Sequence, residues 1–412
     1  MRNHAKGLIA SVLAAAALCP AAALAQISYE PNDVNNRQSR TGDVIADGDL
    51  NVVDPDEVNS TRVATGNGYN ATIESGSLNV DSEQWVDGDV TADQTVHVQD
   101  YAGKVNALSA ATGNTGEAGS LYFGDVAANV TQAVGNREIR ANTRLDAPIA
   151  EITDANVSSQ AIGNSHGFTM VGGEHDISSD QYSGAITQAE TEAQFRYSQG
   201  TTSFGATATS NNITALGVEG AKPTYYFKQA MDGDRTQASV LVGAANAQEV
   251  NGTATAVSNN ISVTNEYHPV DLTTDQDNVG YVRAEADVNA WDFGAASANA
   301  YGVGNSAVAG NNAADLALDN NQANSGAVQS FAKFDGNDGY DAYSSSVAMG
   351  NAVTGYTCAG CESTIGVRNR QSSSNKVSAS STVTIGGHNR VVSSNATAIG
   401  NSATFYNSQP GS

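Results

Sequence analysis

Four kinds of short stretch in this chain carry residue types that could do chemistry. Asp335-Gly-Asn337-Asp338-Gly-Tyr-Asp341 alternates side-chain oxygens with glycine. Hard cations prefer oxygen ligands, so Asp335, Asn337, Asp338 and Asp341 are the candidate calcium set. Asp47-Gly-Asp49-Leu-Asn51, followed by Asp54, Asp56 and Glu57, has the same character. Asp-Gly is also the ordinary chemistry of an exposed β turn, and neither stretch has helix-loop-helix spacing. Thr357-Cys-Ala-Gly-Cys-Glu362 pairs Cys358 with Cys361. Zinc wants four ligands, with only His388 nearby as a third, and a redox role wants a βαβ setting. A structural disulfide is the favoured reading for an exported chain. Gly163-Asn-Ser-His-Gly167 matches the hydrolase elbow Gly-x-Ser-x-Gly, but no helical pattern follows it. Leu121-Tyr-Phe123 and Tyr225-Tyr-Phe227 offer flat faces for sugars or, alternatively, for packing. No catalytic constellation emerges. The expectation is a binding protein, not an enzyme, with no cofactor unless calcium is bound; the alternatives are a secreted polysaccharide lyase or hydrolase, or a calcium-dependent surface structural protein.

The elements that must position these residues come from a repeat. Ala-x-Gly-Asn recurs at 64–67, 111–114, 161–164, 348–351 and 398–401, with variants at 208–211, 256–259 and 302–305. The anchors Gly66, Gly113, Gly163, Ser210, Ser258, Gly304, Gly350 and Gly400 are 46 to 50 residues apart. Each is followed by asparagine: Asn67, Asn114, Asn164, Asn211, Asn259, Asn305, Asn351 and Asn401. The residue before the anchor is mostly β-branched and the one before that is almost always Ala, a period of two that marks a strand. Gly-Asn is expected to end that strand at a left-handed corner. A second column, Gln188, Gln237, Arg283 and Gln329, follows its anchors by 25 to 27 residues.

A period of this length means a solenoid or a propeller, and the aromatic signatures of propeller blades are missing. The expected fold is all-β, a repetitive parallel β-solenoid of about eight repeats of roughly 47 residues. Stacked asparagines would form amide ladders. Whether each repeat makes one rung or two, and whether the Ala or the β-branched column points inward, is open at this level.

The chain has 412 residues, 43 acidic against 19 basic, for a net charge of −24. Phosphates need neutralising cations, so nucleic acid is excluded as a partner. Arg2, His4 and Lys6 precede an apolar run from Leu8 to Leu18, then Ala23-Leu-Ala25, which reads as a cleaved signal peptide over residues 1–25. Residues 26–60 are expected to form an N-terminal cap or the first rungs, and 61–412 the solenoid.

With these features together, the Ala-x-Gly-Asn repeats and Asn395-Ala-Thr-Ala-Ile-Gly-Asn-Ser-Ala403 resemble the HfaD family of holdfast attachment proteins from stalked α-proteobacteria. The resemblance implies a surface protein, associated with the outer membrane at the pole or stalk tip, that tethers the adhesive holdfast polysaccharide. It also implies companions, an HfaA-like fibre subunit and an HfaB-like secretion lipoprotein, and self-association into multimers. The same string looks like the head repeats of trimeric autotransporter adhesins. Neither a coiled-coil stalk nor a membrane barrel is read in this sequence, so a partner is expected to hold the chain at the surface.

Overall fold

The computed structural model describes residues 26–27, 32–358 and 363–408. Among these there is no helix. Strands stack in parallel into two sheets, of nine and eleven strands, and only Gln26–Ile27 pairs antiparallel, on Asp33–Arg40. Each strand pairs with its equivalent one repeat away, as Asn164 with Asn211 and Asn211 with Asn259. One repeat therefore makes one rung, and eight rungs at about 4.8 Å give a rod of about 40 Å. The solenoid begins at Asp33–Arg40, Val44–Val52 and Glu57–Ile73, which pair in parallel with the next rung.

A single rung shows the plan. Ile186–Val218 is one long bent strand and Lys222–Met231 one short strand. The long strand doubles back near 196–201, where its register shifts. Its first leg and second leg enclose one apolar core, which includes Ala189, Phe195, Phe204 and Ala208. Its third leg and the short strand enclose another, with Ile213, Tyr225 and Phe227. The flattened section thus has two lobes separated by a waist, and the anchor-Asn step lies at that waist.

The Ala column points inward: Ala111, Ala161, Ala208 and Ala256 are fully buried, so the first lobe is thin and tightly packed. The β-branched neighbours Thr112, Ile162, Thr209 and Val257 lie on the outer face.

The corner expected at Gly-Asn is not there. The long strands run straight through it, and none of the anchors has positive φ. Left-handed residues sit instead at the turn before the short strand, as Glu219 (φ 52°) and Gly220 (φ 86°). The anchor glycine serves close packing: a Cβ on Gly113 would lie 2.5 Å from the Gly163 carbonyl oxygen of the next rung. At this step both anchor and Asn are buried, so the in–out alternation slips by one residue and the wall bends without turning.

In the second lobe, Tyr69 fills the space left by Gly116, and its hydroxyl lies 2.6 Å from Nε2 of His166, two rungs on. The His166 ring is tilted against Phe168 with centroids 4.3 Å apart, and Phe168 stacks on Phe227. Complete burial holds the His166 pKa at about 3, far below its ordinary 6.5. Burial likewise lowers His175 and raises Tyr69. The unfolded chain takes up a proton on His166 below pH 6.5, whereas the folded chain does so only near pH 3. Stability is therefore full above pH 6.5 and falls as pH drops toward 3. His166→Gln, which leaves Tyr69 a polar partner, should flatten urea midpoints between pH 7 and about 4.5, leaving the smaller slope from His175 and the carboxylates. Identical slopes in the two proteins would show that this ring does not govern the acid limb.

Candidate functional site: an amide-clamped waist and an open outer bend

The waist is built from two reciprocal amide ladders. Each Asn in the repeat donates one N–H to the Asn of the next rung, from Asn67 through to Asn401, at 2.7–2.9 Å. On the facing wall a glutamine ladder runs in the opposite sense, Gln371 to Gln322 and on through Gln276, Gln229, Gln181, Gln132 and Gln84 to Gln38. The two are cross-linked. Asn211 Nδ2 donates to the carbonyl of Ala230, the residue after Gln229, and Gln229 Nε2 donates to the carbonyl of Asn260, the residue after Asn259. The same pattern recurs as Asn114 to Ala133 and Gln132 to Ser165.

The side chains from Asn114 to Asn351 and from Gln84 to Gln322 are essentially buried. Buried amides are tolerated only when satisfied, and here each pins the two walls to one another and one rung to the next. The glutamine column lies outside the Ala-x-Gly-Asn motif, on the short strands. Its spacing of 46 to 49 residues is the signal that would have revealed it.

The second column read from the sequence stacks in register, Gln188 with Gln237, Gln237 with Arg283 and Arg283 with Gln329. It lies on the outer face of the first lobe among ion pairs such as Arg283 with Glu285 at 2.6 Å. Such exposed pairs contribute little to stability.

The candidate calcium residues are not gathered. Asp335 pairs with Lys333, and Asp341 is held in a two-pronged contact by Arg390, whose hydrogen bonds keep its carboxyl below the usual range. Asp338 accepts the His388 backbone N–H at 2.7 Å, and Asn337 lies beside Asp338 at the bend. Among the described residues, no group of three or more His, Cys, Asp or Glu is placed to hold a metal. Asp47 and Asp49 sit on the outer side of the strand Val44–Val52, not on a turn. The Cys358 side chain and Cys361 lie outside the described residues, as do residues 1–25. The elbow motif is ordinary strand, with His166 turned into the core. Of the aromatic runs, Tyr225 and Phe227 are core, Tyr226 faces outward, and Leu121, Tyr122 and Phe123 are exposed on a turn.

Where the long strand doubles back, the outer surface opens into a shallow groove of about 640 Å³, lined among others by Tyr197, Gln248, Asp292, Asp338, Tyr340 and His388. It does not close over a ligand, and no helix among the described residues is long and apolar enough to cross a membrane.

A rod of equivalent stacked rungs, clamped internally and presenting its long outer faces, defines a repeat scaffold of the parallel β-solenoid class. No curated protein and no solved structure shows a significant match to the chain. The family described as holdfast attachment protein D matches residues 52–327, and the chain belongs to that family. Its role is accordingly in holdfast attachment, at the cell surface.

Proposed function

We propose that this chain is a non-catalytic tether that links the adhesive holdfast polysaccharide to the cell envelope at the pole or stalk tip. The observation that carries the reading is the family match, which runs through most of the stacked rungs. A rod of stacked rungs offers a long outer surface, so affinity would come from many weak contacts acting together rather than from one deep pocket. The acidic balance of the chain suits a partner other than a polyanion. In this reading residues 1–25 direct export and residues 26–60 lead into the solenoid. The Cys358–Cys361 disulfide closes a local loop, and the Asn column is the structural repeat. An HfaA-like fibre subunit and an HfaB-like secretion lipoprotein are the partners that hold the protein at the outer membrane, where copies associate into multimers.

The test is a strain deleted for this chain, stained separately for polysaccharide on cells and in the medium. Loss of surface adhesion with polysaccharide shed in normal amount is the expected result. Polysaccharide that stays attached but changes in length would mean the chain processes the polymer, and the tether reading would be abandoned.

A further inference from the structure

The groove at the bend carries residues that change from rung to rung. Tyr197, Asn246, Asp292 and Asp338 form one column of facing residues on four successive rungs. Gln248, Tyr340 and His388 line the same opening. Measured along the rod from Tyr197 to the His388 rung, the groove is about 20 Å long at the usual strand spacing.

Its aromatics face solvent: Tyr197 is 38 % and Tyr340 is 60 % exposed, and Trp291, next to Asp292 at the same bend, is 63 % exposed. Gathered at one bend, these rings present flat apolar faces beside the polar groups of the groove. Beneath them Phe293 is buried against Phe334, edge to face at 4.9 Å, and fits only because Gly339 lacks a Cβ. Arg390 lies over the Tyr340 ring at 5.9 Å while bonded to Asp341, so this ring is held from one side.

We propose that this bend is a subsite for a polysaccharide strand of non-anionic sugars, lying along the rod axis with its ring faces on Tyr197 and Tyr340. The inference rests on the tether reading above and assigns it a place. Aromatic faces accept the apolar face of a pyranose, while carboxylates, amides and the imidazole take its hydroxyl protons. An open groove several rungs long suits a polymer that enters and leaves at both ends, whereas small ligands take closed pockets. Asp292 and Asp338 in the central column repel phosphate, sulfate or uronate polymers. A peptide adding as a strand would need a free sheet edge, and the strands carrying Tyr197, Asn246, Asp292 and Asp338 are paired on both sides, leaving an edge only at the His388 rung.

The experiment is affinity electrophoresis of the full chain through gels containing holdfast polysaccharide purified from the same cells. Tyr340→Ala and Tyr197→Ala are compared with wild type, and Tyr122→Ala, on the turn at the other edge of the rung, serves as the control. Wild type and Tyr122→Ala should be retarded, with each groove variant weaker by on the order of tenfold. Asp292→Asn, which leaves the rings in place, should also weaken retention, and heparin in the gel should not compete. All three variants must keep the β-sheet circular dichroism of wild type, as expected for exposed side chains. Retardation unchanged in all three would overturn the groove and leave the tether reading standing. A wild-type chain that ignores the polysaccharide would remove direct tethering itself, and the groove with it. Competition by heparin would overturn the non-anionic assignment.

Discussion

Asn211→Ala is expected to lower the unfolding free energy by roughly 2–4 kcal/mol, because three hydrogen bonds at a fully buried site are lost at once. Asn211 Nδ2 gives its protons to Ala230 O and Asn259 Oδ1, and its Oδ1 accepts from Asn164. Removing it strands the Ala230 carbonyl, the Asn259 Oδ1 and an Asn164 N–H in the waist between two apolar cores, where water cannot readily replace the bonds. The position matters as much as the count. Stacked repeats behave as a one-dimensional chain in which each unit is stabilised by its neighbours. A break near the middle of the Asn ladder should therefore split one cooperative urea transition into two. Asn401→Ala is the internal comparison: Asn401 accepts only from Asn351 and is exposed, so its loss should cost about 1 kcal/mol or less. Equal effects from the two substitutions would show that the ladder is a by-product of stacking rather than a source of stability.

Gly113→Val should be more damaging still, by about 3 kcal/mol or more, and soluble yield should fall with it. The Cβ position at 113 is 2.5 Å from the Gly163 carbonyl oxygen and 2.9 Å from Val134 Cγ2. Both are fixed, one by the sheet ladder and the other by the core, so relief requires the rungs to separate. Two anchors do carry a side chain. Ser210 hydrogen-bonds Thr236 at 2.6 Å and Ser258 bonds Asn278 at 2.7 Å. A small polar residue is accommodated where a hydroxyl or amide faces it. At Gly113 the facing side chains are Val134 and Ile139, which offer no such partner. Amide hydrogen exchange is the informative measurement: protection should collapse first in Tyr101–Ser120 and Glu138–Val171 and persist farther along the rod. Wild-type protection in those strands would mean that the anchor glycines are not required for rung spacing.

Much of the architecture was readable from residue types because stacking makes each rung's equivalent residues neighbours. The Ala-x-Gly-Asn columns displayed the period, the strand character and the parallel stacking without any long-range information. Glutamine at 84, 132, 181, 229, 276, 322 and 371 was equally periodic, yet its role could not be read because its function lies in the residue it faces. The calcium set shows the opposite failure. Asp335, Asn337, Asp338 and Asp341 are adjacent in sequence, but an extended chain crossing a bend aims them at different neighbours, Lys333, His388 and Arg390 among them. Proximity along a strand does not converge side chains, since successive residues point to opposite faces.

By itself, then, the amino-acid sequence determined the repeat, its length, its all-β parallel stacking and the family resemblance. These follow from periodicity, which survives in one dimension. Only the tertiary structure decided that each repeat makes a single rung, that alanine rather than the β-branched column lines the core, and that Gly-Asn bends a strand instead of ending it. It alone showed the glutamine ladder opposite the asparagines and the aromatic groove at the bend. These depend on which wall faces which across the rung. That choice is settled by the balance of buried volume and satisfied amides over the whole cross-section, which no single segment contains.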